Sequence, residues 1–143
     1  MTDQHTSPCG ECPFNRKVAP GELGGSPPEM YVGQAAGPFF LPCHSTHDYT
    51  DAKARQDLNN SQCAGAAIFR ANVGVARQLP PALLHLPKDA QKVFATFEEF
   101  YAHHKKIPLA EATRLLKEKG PEKHLLDEFK KREAKVRLLE RRP

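Results

Sequence analysis

The sequence predicts a mainly α protein in which a small, loop-rich, metal-stapled N-terminal module precedes a helical C-terminal extension. Three observations carry this expectation. All four cysteines, Cys9, Cys12, Cys43 and Cys63, fall in the first half of the chain. Prolines and glycines punctuate the first fifty residues, whereas helical periodicity dominates from residue 89 onward. The apolar fraction is 39% of 143 residues with no Trp, which is lean for a conventional core and makes a staple useful.

The elements follow from local chemistry. In residues 1–50 the steps Pro20-Gly21, Gly24-Gly25, Pro27-Pro28 and Gly37-Pro38 leave room only for turns and a strand around Phe39-Phe40-Leu41. A loop of that length needs an anchor, and cysteines at its two ends supply one. Thr50 or Asp51 can cap a short helix reaching Leu58, broken by Asn59-Asn60-Ser61. A second helix is expected from Ala64 to Gln78, with small residues on one face that allow close approach of a backbone or cofactor. Cys63 would stand at its N-terminus, where the helix dipole favours a thiolate. Residues 1–78 thus form the metal-binding module, and 79–88 a Pro-rich linker.

Residues 89–143 read as helical throughout. Asp89 can cap a helix to about His104, with Val93, Phe94, Phe97, Phe100 and Tyr101 at helical spacing. Pro108 suits the first turn of a helix to Lys119, and Gly120 suits its stop. Pro121 begins the last helix, whose Leu125, Phe129, Val136 and Leu139 share a stripe.

The cysteine spacing bears most directly on chemistry. Cys9-Gly-Glu-Cys12 is a tight turn that lets two sulfurs face one metal, and Cys43 and Cys63 complete a set of four ligands. One knuckle plus two isolated cysteines leaves both a [4Fe-4S] cluster and a structural zinc open, and the scattered positions with the Cys12-Pro13 step favour the cluster. His44 and Arg16 are candidates for supporting contacts around the centre, His44 as a donor to sulfur and Arg16 as a counter-charge. A redox dithiol is disfavoured because no apolar strand precedes the Cys-x2-Cys. His44, His47 and Asp48 form a second polar group that could serve a hydrolytic pocket, although a polar loop with a helix cap is the favoured account of them.

Charge separates the two halves. Residues 1–100 carry eight Lys/Arg against ten Asp/Glu, and residues 101–143 carry thirteen against seven, within a net of +4. The basic surplus therefore belongs to the tail, where it could meet nucleic acid or an acidic protein surface. Glu122, Asp127, Glu128, Glu133 and Glu140 are interleaved with it, as on a solvated face. No run approaches the roughly 18 apolar residues of a membrane span, and the first residues lack the pattern of a signal peptide. The expectation is a cytoplasmic protein without membrane contact, where cysteines bind metal more often than they form disulfides.

At the cysteines the chain resembles a family of small phage and bacterial proteins of unknown function. Their pattern is Cys-x2-Cys-Pro-aromatic-Arg, later Cys-His, later Cys-Ala-Gly. Here it reads Cys9-Gly-Glu-Cys12-Pro13-Phe14, Cys43-His44 and Cys63-Ala64-Gly65, and the match covers roughly residues 8–75. Asn15 intervenes before the arginine, Arg16. The resemblance implies phage-type origin and carries no activity. A fainter likeness is to WhiB-like regulators, which bind a [4Fe-4S] cluster through four cysteines and contact the transcription machinery. The expected function is a non-enzymatic, metal- or cluster-binding accessory or regulatory protein that meets nucleic acid or a protein partner through its basic last helix. The alternative is a small metalloenzyme or redox protein using the four-cysteine centre or His44, His47 and Asp48.

Overall fold

The computed structural model describes residues 6–8, 10, 12–21, 23, 26–41 and 62–140, the last five by backbone alone. Five α-helices form among them: α1 Pro28–Ala36, α2 Ala64–Val73, α3 Phe97–Lys105, α4 Leu109–Glu118 and α5 Pro121–Glu140. No strand forms among the described residues, which agrees with the mainly α class, and an isolated antiparallel bridge joins Asn15 to Val93. The short helix expected at 51–58 lies outside the described residues.

α1 corrects the expectation of turns alone before residue 50. Pro28 sits in its first turn, where a missing N–H costs nothing, Glu29 lies near the positive helix end, and Gly37 follows the last turn. The prolines read as breakers thus mark a helix start. The strand expected at 39–41 does not form. Instead Phe40 and Leu41 are buried, and the Leu41 carbonyl accepts from the Cys63 N–H at 2.7 Å.

α2 begins where expected but stops at Val73, because Gly74 adopts a left-handed φ of 89° and turns the chain into a short 3₁₀ segment, Ala76–Gln78. Around residue 89 the difference is larger. No helix runs from Asp89; α3 begins eight residues later, capped by the Thr96 hydroxyl, which accepts from Glu99 N–H at 3.1 Å. Asp89 instead caps a turn, its Oδ1 accepting from the N–H groups of Gln91 and Lys92. Asn72 on α2 secures that turn: its Nδ2 donates to the carbonyls of Asp89, Val93 and Phe94, and its Oδ1 accepts from Asp89 N–H at 2.9 Å. Side-chain bonds of this kind offer the backbone an alternative to the helix, and here the alternative wins. α4 and α5 match the expected proline-started helices, apart from about one residue at an end.

The core is organised around Phe14. Its ring lies 5.0 Å from Phe69 on α2, 5.0 Å from Phe100 on α3 and 6.0 Å from Tyr31 on α1. Val93 and Phe94 join this cluster from the Asp89 turn, and Ala112 and Leu116 from α4. One apolar core therefore draws residues from both sides of the Pro-rich 79–88 segment. α5 packs along α1, where Gly33 is the point of closest approach: a Cβ there would overlap the Leu125 side chain and stand 2.9 Å from the Pro121 carbonyl.

His104 ties α3 to the N-terminal turns. Its Nδ1 accepts from Gly21 N–H at 3.0 Å, so the ring proton resides on Nε2, which donates to the Pro13 carbonyl at 2.8 Å. Burial pushes this imidazole down to about 4 from its ordinary 6.5, the Pro13 bond opposing and His103 adding to the shift.

Two outcomes follow from this packing. Gly→Ala inside a helix ordinarily stabilises by about 0.5–1 kcal/mol. Gly33→Ala should instead lower the unfolding midpoint in urea, because the methyl group separates α1 from α5. Between pH 6.5 and about 4 the unfolded chain binds a proton on His104 that the folded chain refuses. Its contribution to stability is whole above the ordinary value and is lost as pH falls through that window. Urea titrations across this range should show a shallower decline for His104→Gln than for the parent; parallel profiles would contradict the assignment.

Candidate metal centre

Two of the four predicted ligands are described, and they meet. Cys12 and Cys63 are 2% and 6% exposed, and their sulfurs lie 3.5 Å apart with no disulfide between them. That separation is far beyond a disulfide bond of about 2.05 Å. It is close to the about 3.8 Å edge of a tetrahedron with metal–sulfur bonds of about 2.3 Å. Cys9 and Cys43, and with them His44, His47 and Asp48, lie outside the described residues. No group of three or more candidate metal ligands occurs among the described residues.

Local sequence explains how the pair forms. Cys63 is the N-cap of α2, its sulfur accepting from Ala66 N–H at 3.3 Å, so the first turn of the helix points an amide at it. Cys12 descends onto the same turn from the opposite side. Gly65 makes this possible: a Cβ at that position would overlap the Cys12 sulfur and stand 3.2 Å from Phe14 Cβ. The Cys63-Ala64-Gly65 sequence therefore combines a ligand, its capping geometry and the space for its neighbour. Pro13 and Phe14 are fully buried directly after Cys12, which fixes the turn from the core side.

The electrostatics favour negative charge at the sulfurs. The Cys63 thiol is held below its ordinary range, first by the hydrogen bond with Cys12, against the opposing effect of burial. The amides of Ala66 and Gly65 and the charge of Arg70 add to the lowering. Tyr31 responds in the opposite sense: burial, then the charges of Cys63 and Cys12, raise its phenol, which donates to the Leu23 carbonyl at 2.9 Å.

Arg70 is the functional residue that sequence reasoning missed. Its side chain is buried on α2, and its guanidinium donates to the carbonyls of Ala35 at 3.1 Å, Gln34 at 2.9 Å, Gly37 at 2.9 Å and Phe39 at 2.6 Å. These carbonyls lie in the last turn of α1 and in the segment leading toward Cys43. It has no carboxylate partner among the described residues. Burial lowers its pKa to about 10, and the charge of Cys63 works against that lowering. In sequence its signal is a charged residue in a helix whose other residues, Asn72 apart, are small or apolar.

Arg16, the arginine expected near the centre, has other partners. It pairs with Glu99 at 2.6 Å, donates through Nε to the Ala90 carbonyl at 2.7 Å and lies over the Phe94 ring at 5.6 Å.

No family model, curated protein or solved structure matches the chain.

Gly65→Ala tests the construction of the pair. The added methyl should push the Cys12 sulfur off the α2 N-terminus, at a cost on the order of 1–3 kcal/mol. Thermal unfolding should show the loss, and Cys12 should become more reactive toward a thiol reagent in the folded protein. Unchanged reactivity would mean that the close approach is incidental.

Proposed function

We propose that the chain is a non-enzymatic, metal-stapled accessory or regulatory protein in which Cys9, Cys12, Cys43 and Cys63 hold one metal centre. The observation that carries this reading is the buried Cys12–Cys63 pair, whose sulfurs lie 3.5 Å apart at a helix N-terminus with no disulfide between them. Buried thiols with no further task have no reason to be aimed at one another beside amides and a buried cation. A shared metal supplies that reason.

The same spacing supports one tetrahedral ion, zinc, ahead of the [4Fe-4S] cluster that the sequence favours. Two thiolates on one ion share a tetrahedral edge, whereas thiolates on separate irons of a cluster stand farther apart. In such a site the metal would keep all four sulfurs as thiolates. Arg70 would then offset part of their charge, and the α2 amides would donate to sulfur. A centre with four cysteine ligands has no open position for a substrate, which supports a structural role over a catalytic one.

The partner-facing side is proposed to be the outer face of α5. Leu126 is 53% and Phe129 42% exposed there, beside exposed Lys130, Lys131 and Arg132. Exposed apolar side chains among cations suit a protein of the nucleic-acid machinery better than a bare phosphate backbone. No described helix is long and apolar enough to cross a membrane.

A structural zinc contributes on the order of 10 kcal/mol to folding, comparable with the whole stability of a typical domain. Elemental analysis of anaerobically purified protein should therefore find one zinc per chain, and a strong chelator should unfold the helices as read by circular dichroism. Cys12→Ser or Cys63→Ser should lose the metal. A brown preparation containing iron would replace zinc with a cluster; metal-free protein of full helicity would end the proposal.

A further inference from the structure

We infer that a cleft beside the cysteine turn binds a phosphate group of a nucleotide, either free or within a single-stranded nucleic acid. The cleft encloses about 420 Å³ and is lined by Ser7, Pro8, Asn15, Lys17, Gln91 and Lys92. That volume falls within the about 300–1,000 Å³ of small-molecule sites and admits roughly one nucleotide.

Among the described residues the lining contains two cations and no carboxylate. Of the described acidic residues close to them in sequence, Asp89 accepts from the amides of Gln91 and Lys92, and Glu99 pairs with Arg16. Neither Lys17 nor Lys92 forms an ion pair among the described residues. Two ammonium groups without an ion pair among the described residues, beside a hydroxyl and two amide side chains, are suited to phosphate, which accepts from all of these donors.

The walls are also fixed relative to each other, although they lie far apart in sequence. Arg16 N–H donates to the Lys92 carbonyl at 3.0 Å, and Asn15 and Val93 form the antiparallel bridge. Arg16 Nε reaches the Ala90 carbonyl, and Lys17 N–H donates to Asn15 Oδ1 at 2.9 Å. The backbones carrying the two lysines are thus pinned before any ligand arrives, which lowers the ordering cost of binding. α5 is less suited to the task. Lys131 there pairs with Glu128, and Lys119 pairs with Asp127. The phosphate contact consequently moves from the tail to the N-terminal face, leaving α5 for a protein.

The inference extends the accessory-protein reading but stands on a different surface from the metal centre, so the two can fail separately. The experiment uses the full chain as purified, with metal content measured in every sample. A fluorescent single-stranded oligonucleotide and adenosine monophosphate are the probes, and polyglutamate of similar length is the competitor. At least one probe should bind at low salt, and oligonucleotide affinity should fall with salt at a log–log slope of about −1.4 for two phosphate contacts. Binding of the monophosphate identifies a free-nucleotide site; binding of the oligonucleotide alone identifies a strand. Lys17→Glu/Lys92→Glu should weaken binding about tenfold or more at unchanged melting temperature, whereas Lys130→Glu/Lys131→Glu on α5 should change it little. The inference is overturned if neither probe binds, if the cleft variant binds like the parent, or if polyglutamate displaces the probe as well as unlabelled oligonucleotide does. Metal-loaded protein without phosphate binding sinks only this inference; phosphate binding by protein without metal sinks only the metal reading.

Discussion

The descent of Cys12-Pro13-Phe14 onto the first turn of α2 is the contact on which the rest of the structure depends. It places a sulfur against the α2 amides and, two residues later, an aromatic ring at the meeting point of α1, α2 and α3. Cys12, Pro13 and Phe14 are all nearly inaccessible, so the segment acts as a wedge with one polar end and one apolar end. Gly65 is its complement on the helix. Without that missing side chain the wedge cannot seat, and both the thiol pair and the Phe14 cluster would have to shift together. Structure and candidate chemistry therefore share one origin.

Charge management follows from the same placement. Sulfurs held at a helix N-terminus in a buried setting favour thiolate only if positive potential is supplied nearby. The α2 amides provide part of it and Arg70 another part. Arg70 also satisfies carbonyls at the end of α1 and in the following segment, so it connects the sulfur site to the chain that runs toward Cys43. A buried cation whose partners among the described residues are neutral carbonyls is expensive by itself. A thiolate centre within its reach lowers that cost, and the two features make physical sense as a pair more readily than either does alone.

Much of this was legible in the sequence where a single residue type had a single reason to be present. Pro108, Gly120 and Pro121 marked the ends of α4 and α5, and Cys63 marked the start of α2. Legibility failed where tertiary bonds decided the backbone. Asp89, followed by apolar residues at helical spacing, has the look of a helix start, yet Asn72 supplies four bonds that hold residues 89–94 in a turn. Nothing local to residue 89 reports that. α1 is hidden for a different reason: Pro27-Pro28 and Gly37 have the look of breakers, yet Pro at the first turn and Gly after the last one are also helix boundaries. Of the site itself, spacing grouped Cys9, Cys12, Cys43 and Cys63 as one set, of which Cys12 and Cys63 meet and the other two lie outside the described residues. Arg70 was invisible because its role lies in carbonyls 31 to 36 positions away.

The division of the chain into a stapled module and a helical extension takes on a different meaning once the contacts are known. Composition does change at residues 79–88, but the forces do not. Phe100 stacks on Phe14, and His104 holds the Pro13 carbonyl immediately after Cys12. α1, from the Pro/Gly-rich half, is clasped by α5 through Gly33. A staple at the cysteines would therefore stabilise more than a weak N-terminal loop. By fixing Cys12 it fixes the ring that α3 packs on, and through α1 it fixes the surface that seats α5. The lean apolar content of the sequence is consistent with that arrangement, because a core centred on one aromatic wedge needs few residues, provided the wedge is held in place.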